Sequence, residues 1–248
     1  MVRVLFCLFF VFLLSCKEEN YAPIPTTSQL TITLSHTFDG ARFELDSFYT
    51  EPTNGLVSVK VVMFYLTNIK LINQDGTESE LPETYFLVDE SNPKSKTITI
   101  KNILPGNYKG IKFLTGVDSA RNVGGIQSGA LDPSLGMFWT WKSGYIQSKL
   151  EGNFIDADGE AEFIHHLGGF SGENNTVYQV ELGFSETQLN AGQTLGLTIK
   201  RDIAEWFKTP FAVPLRTYKV IIDEGQQAKT IAINALDMYE ITSAKIIQ

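Results

Sequence analysis

The sequence predicts an all-β fold: an antiparallel sandwich or barrel-like single domain carrying one or two short helices. Three observations predict it, namely short runs in which apolar and polar residues alternate, turn-forming residues between those runs, and little helical periodicity anywhere. Alternation with period two puts every second side chain on one face, and a half-buried strand is the structure that can bury such a face.

Leu30-Thr31-Ile32-Thr33-Leu34-Ser35 sets the pattern. Runs of the same kind follow at 57–71, 85–88, 97–100, 108–115, 137–141, 145–150, 161–167, 177–184, 195–200, 218–222 and 241–247. Asp75-Gly76, Pro105-Gly106-Asn107, Asp158-Gly159 and Asn190-Ala191-Gly192 punctuate them with good turn formers. Two stretches read as helix. Asp202 and Glu205 have capping-box spacing ahead of Ile203, Trp206 and Phe207 on one helical face, and Ile231, Ala235 and Met238 repeat that spacing. There is no internal repeat.

The N-terminus has a different character. Arg3, the apolar run from Val4 to Leu14 and the small Ser15 have the layout of a signal peptide over residues 1–15. The run is shorter than the roughly 20 residues a spanning helix needs. Leu13-Leu14-Ser15-Cys16 has the form of a bacterial lipobox, which predicts cleavage before Cys16 and acylation of its sulfur. Residues 16–29, with Pro23, Pro25, Thr26, Thr27 and Ser28, read as the lipidated cysteine and an extended tether, and the folded domain as 30–248. The expected location is the cell envelope, lipid-anchored to the outer membrane, facing the periplasm or the cell surface. Lys17-Glu18-Glu19 has the basic-then-acidic character of a surface-export signal and equally that of a solvated tether.

The only other cysteine, Cys7, leaves with the signal, so no disulfide holds the domain together. The core must do so, and 43% hydrophobic residues in 248 suffice for one large domain. A net charge of −8 repels nucleic acid and anionic lipid alike, which leaves membrane attachment to the lipid on Cys16.

Signals for enzyme chemistry are lacking. There is no nucleophile elbow, no usable thiol, no His-Glu-x-x-His and no glycine-rich phosphate loop after a strand. A converging carboxylate pair stays open among 28 acidic residues. Asp156-Ala157-Asp158-Gly159-Glu160 has a flavour of a calcium loop without its full spacing and reads as a hairpin turn. Asn174-Asn175-Thr176 is a sequon by pattern and reads as a loop.

Histidine is scarce enough to read one residue at a time. His36 has the parity of Leu30, Ile32 and Leu34, so it points at the core, where an imidazole needs a hydrogen bond or a metal. For a lone inward histidine the ordinary outcome is a satisfied core residue. His165 and His166 are adjacent on one strand, so only one of them can share a face with His36 unless a bulge intervenes. Parity with Phe163 and Leu167 favours His165, while Gly168-Gly169 allows local distortion. Trp139 and Trp141 share a face with Met137, which is ordinarily a core stripe.

Several ordered segments carry a resemblance. Asp118-Ser119-Ala120-Arg121-Asn122, Gly129-Ala130-Leu131-Asp132-Pro133, the stretch from Gly136 to Ile146 around Trp139-Thr140-Trp141, Lys149-Leu150-Glu151-Gly152, His166-Leu167-Gly168-Gly169, and His36 before Phe38-Asp39-Gly40 together resemble the MbnP family of copper-binding proteins, over about 30–201. The resemblance implies a periplasmic or surface protein that holds copper between histidines and an oxidised tryptophan. It also implies a di-haem partner of the MbnH type that converts one tryptophan to kynurenine. An intact indole offers an N–H and no lone pair, whereas ring opening supplies an aromatic amine. Imidazole nitrogens with such an amine suit copper. Carried over residue by residue, the resemblance selects His36, His166 and one of Trp139 and Trp141, with Met137 as a soft neighbour. It sets His166 against the His165 that parity prefers.

The functional expectation is a non-enzymatic copper-binding envelope lipoprotein used in copper sequestration, uptake or delivery. Two other classes compete with it: a surface interaction module that binds a glycan or protein without metal, and a substrate protein whose main event is tryptophan oxidation by a haem partner.

Overall fold

The computed structural model describes residues 26–53, 55–82, 84–140 and 143–247. The expected signal peptide, Cys16, most of the expected tether and Trp141 lie outside the described residues.

In chain order the strands are β1 (Ser28–Phe38), β2 (Ala41–Arg42), β3 (Phe48–Glu51), β4 (Gly55–Asn73), β5 (Glu78–Glu80) and β6 (Tyr85–Asp89). Then follow β7 (Thr97–Ile103), β8 (Gly106–Thr115), β9 (Phe138–Thr140), β10 (Gly144–Tyr145) and β11 (Ser148–Asp156). The last are β12 (Gly159–Leu167), β13 (Tyr178–Leu189), β14 (Thr194–Asp202), β15 (Val220–Ile221) and β16 (Tyr239–Ile247).

A five-stranded sheet is ordered β16-β14-β1-β2 with β7 also on β1. It faces a nine-stranded sheet ordered β13-β8-β4-β11-β12-β15, with β3, β5 and β6 pairing along the long β4. This is the predicted sandwich, and the larger sheet does not close into a barrel. It is not purely antiparallel: β1 runs parallel to β14, and β12 to β15. Long connections permit this, since β1 and β14 lie far apart in sequence and need no hairpin between them.

The period-two residues meet in the middle. Leu30, Ile32 and Leu34 of β1 pack with Val62, Phe64 and Leu66 of β4, Leu150 and Phe154 of β11, and Leu195, Leu197 and Ile199 of β14 in one apolar core. At roughly 25 cal/mol per Å² of apolar surface removed from water, this shared core is the main stabilising term, and there is no cysteine among the described residues.

Both predicted helical stretches form. Ile203–Phe207 is a 3-10 turn whose cap Asp202 accepts a hydrogen bond from the Ala204 amide at 3.0 Å. The second, an α-helix at Gln226–Asn234, runs on into a 3-10 turn at Ala235–Met238, burying Ile231, Ala235 and Met238. Among the described residues no helix is long and apolar enough to cross a membrane.

The outer face of the larger sheet is partly roofed. The segment between β8 and β11 lays Val117, Leu131, Met137, Tyr145 and Ile146 over Tyr65 of β4 as a second apolar cluster, with Met63, Tyr85, Phe138 and Trp139 at its margin. The Asp156–Gly159 hairpin joins β11 to β12 as a turn, with the Asp158 amide donating to Asp156 at 2.9 Å.

Candidate metal centre

Strand parity distributes the three histidines over two sides of the nine-stranded sheet: His165 and His166 lie on its β12, and His36, on β1 of the five-stranded sheet, faces its inner side. Ser148, Lys149 and Leu150 of β11 pair in unbroken register with Leu167, His166 and His165 of β12, and with Phe64, Met63 and Val62 of β4. No bulge therefore interrupts β12 here. His165 points inward with Phe163 and Leu167, and His166 points outward in one row with Lys149 and Met63.

His165 is fully buried. The Trp206 indole N–H donates to its Nδ1 at 3.0 Å, so Nδ1 must carry the lone pair and Nε2 the proton. Nε2–H donates in turn to the Tyr218 carbonyl, and the ring stacks on Trp206. Both nitrogens are spent. Burial holds the imidazole neutral by pushing its pKa down to about 4. The reading of His165 as a metal ligand is thereby corrected: its parity is inward as expected, and its inward environment satisfies it without metal.

His36 also points inward, paired across the parallel ladder with Arg201, its ring 5.7 Å from that of Phe64. Glu90 contacts Nδ1 through one carboxylate oxygen and Lys96 Nζ through the other, the latter at 2.8 Å. Nε2 is buried without a partner. Burial lowers the His36 pKa, aided by the Arg201 and Lys96 charges and opposed by Glu90.

His166 is mostly but not wholly buried, and its Nε2 bonds Glu151 Oε1 at 2.6 Å. Burial lowers its pKa, the hydrogen bond to Glu151 opposes that, and the Lys149 charge lowers it further. The ring is thus a neutral base at pH 7 with one nitrogen oriented by a carboxylate, an arrangement typical of metal-ligating histidine. Trp139 packs two residues further along, at Gly168. A Cβ built on Gly168 would lie 2.0 Å from Trp139 Cζ3 and 2.6 Å from Cη2, so the indole's six-membered ring is seated on the Gly168 backbone. Gly168 is two residues beyond His166, just past the end of β12. Glycine is needed there because any side chain would evict the indole.

The expected meeting of His36 with His166 does not occur. They lie on opposite faces, and β4 under His36 is two strands from β12, roughly 10 Å in lateral distance alone. Among the described residues no three His, Cys, Asp or Glu side chains cluster around one ion position. Met137 is fully buried within the apolar roof. What the structure does bring together is His166 with Glu151, and Trp139 with Gly168 two residues along the chain from that histidine.

Glu151 was not singled out from the sequence as a site residue, although a signal was there. Folding the chain at Asp156–Gly159 sets Glu151 opposite Ile164, on the face of His166. Glu90, Trp206 and Tyr218 come from remote segments with no comparable signal.

The donor set fits copper in part. An imidazole nitrogen oriented by a carboxylate suits it, and the adjacent indole becomes a nitrogen donor only after ring opening.

Two comparisons with known proteins bear on this chain. The MbnP family model matches residues 27–223. A solved structure, MbnP from Methylosinus trichosporium, superposes with a TM-score of 0.51 at 15% identity, covering 81% of each chain, which is a likeness of fold. No curated protein matches the sequence. With most of its length matched by that model, the chain belongs to the MbnP family.

Proposed function

We propose that this protein is a non-enzymatic copper-binding lipoprotein of the cell envelope, anchored through Cys16, and that it sequesters or delivers copper held on the outer sheet face by His166 next to an oxidised Trp139. The observation that supports this most is the seating of the Trp139 ring on Gly168, two residues from a histidine whose other nitrogen is fixed by Glu151. In this reading a di-haem partner of the MbnH type opens the indole, and the resulting aromatic amine joins the imidazole. Trp141 stands as the alternative site of oxidation. Copper, when bound, supplies the affinity for nitrogen donors; the protein supplies their orientation. Glu151 holds the ring, and the neutral state of His166 keeps a lone pair available at pH 7.

His36 takes no part in this centre, because the sheet lies between. Copper content per chain, measured on protein purified from its own host, tests the assignment together with intact mass, where kynurenine exchanges one carbon for one oxygen. His166→Ala is expected to remove stoichiometric copper, Glu151→Gln to weaken it by roughly 10–100-fold, and His36→Ala to leave it in place. Copper lost from His36→Ala but kept by His166→Ala would move the centre to the inner face and end this reading.

A further inference from the structure

Toward the Asp156–Gly159 hairpin, at the far end of β11 and β12 from His166, a cavity of about 260 Å³ is walled by Glu51, Thr53, Leu56, Phe154, Asp156 and Arg216. Asp156 lies seven residues along β11 from Lys149, the cross-strand partner of His166, which is roughly 23 Å at about 3.3 Å per residue. The volume is below that of drug-sized sites and leaves room for a small ligand.

Three strand ends build it. β3 finishes at Glu51, β4 begins at Gly55 and β11 finishes at Asp156. Gly55 lets β4 press on β11, because a Cβ there would meet the Ile155 carbonyl at 2.7 Å. Arg216 closes one wall from a later segment. Its Nε donates to one Asp156 oxygen at 3.0 Å, and its Nη2 donates to the other and to the Gly159 carbonyl at 2.8 Å. The guanidinium lies over the Phe154 ring at 4.8 Å. Asp156 and Arg216 therefore answer each other's charge.

Glu51 is placed differently. The residue is 4% exposed, and its Oε2 accepts from the Thr53 amide at 2.9 Å and the Thr53 hydroxyl at 2.5 Å, both neutral donors. Its Oε1 is buried with no hydrogen-bond partner among the described residues. Burial pushes the Glu51 pKa up, the Thr53 bonds oppose that, and the like charge of Asp156 adds to it. A buried carboxylate oxygen without a donor costs the desolvation of a charged group, so what completes this wall must bring both a donor and positive charge. A hard divalent cation does not fit, since it needs several oxygen ligands and Arg216 already holds the Asp156 oxygens. An ammonium group fits, because it carries its own donors and one strong acceptor orients it. Leu56, partly exposed, and Phe154, buried, supply apolar surface for a short hydrocarbon body.

We propose that this cavity binds a small primary alkylammonium, its head on the Glu51 carboxylate and its hydrocarbon body along Leu56 and Phe154. A charge-assisted hydrogen bond to the carboxylate selects against a neutral or anionic head of the same length. The site is independent of the copper centre.

Butylammonium, butanol and butyrate, titrated against the full chain by calorimetry and by thermal shift at constant ionic strength, test it. Mildly alkaline buffer keeps the amine protonated and favours the ionised Glu51. Butylammonium should bind saturably and raise the melting temperature, with butanol and butyrate weaker by about tenfold or more. Glu51→Gln retains the size of the side chain and an acceptor for Thr53, and should lose that preference. Leu56→Trp should fill the cavity and block all three compounds while the Glu51 charge stays, and its circular dichroism separates loss of the site from loss of fold. Equal binding of the three compounds, an undiminished preference for butylammonium in Glu51→Gln, undiminished binding in a folded Leu56→Trp, or no saturable binding of butylammonium to the wild type would each overturn the proposal.

Discussion

His165 and His166 are consecutive in the chain and opposite in everything else. One lies in the core with both ring nitrogens engaged by Trp206 and Tyr218; the other sits on the outer face, one nitrogen held by Glu151, with Trp139 nearby. Identical side chains thus acquire different chemistry from the strand pleat alone. A histidine whose hydrogen-bonding capacity is exhausted stabilises the fold, and one that a carboxylate orients while a nitrogen stays uncommitted is available to a ligand.

The largest effect that would sharpen this contrast is on stability. His165→Ala removes a buried ring and strands the Trp206 N–H, and a loss of about 4 kcal/mol is expected. His166→Ala, on the partly exposed face, should cost under about 1 kcal/mol. Urea melts of the two variants measure the difference, and equal losses would refute the division of roles.

Acid separates the two faces next. The His165 pKa is lowered to about 4, against an ordinary value of 6.5 in the unfolded chain. The unfolded state therefore takes up a proton first. Stability is unaffected by this group above pH 6.5, falls as pH drops from there, and levels off near pH 4, for a total of about 3 kcal/mol. His36 and His166 are shifted in the same direction and add to the slope. In His165→Gln, whose amide can still accept from Trp206, the slope of stability against pH between 6.5 and 4 should flatten. An unchanged slope would mean that His165 is not the buried neutral base described here.

The fold was legible because burial obeys the pleat. The alternating runs from Leu30 onward became strands, and Ile231, Ala235 and Met238 were buried together as their spacing required. Short edge pieces such as β3 and β5 were missed, since three or four residues carry too little periodicity to register. The histidines were half legible. Parity placed His36 and His165 inward correctly, yet nothing local revealed that Trp206 and Tyr218 would satisfy His165, because both partners arrive from a segment after β14. Choosing His166 required a bulge if it was to join His36, and the continuous register with β11 shows none. A constellation that depends on two sheets meeting is set by three-dimensional topology, which pairwise parity along one strand does not encode.

A smaller effect than the loss of His165 bears most directly on the outer face. Gly168→Ala places a methyl group where the Trp139 ring now lies, and the backbone cannot easily yield, because the Gly168 carbonyl is held by the Thr176 hydroxyl at 3.1 Å. The indole must move instead, at an expected cost of about 2 kcal/mol for overpacking. Trp206 is fully buried against His165 on the inner side of the sheet, so its fluorescence supplies a buried background. A red shift in tryptophan emission on Gly168→Ala, with copper binding weakened though His166 and Glu151 are intact, would tie the metal to the position of that ring. Unaltered emission with unaltered stability would show that Trp139 does not rest on Gly168, and would leave His166 with a carboxylate but no oxidisable neighbour.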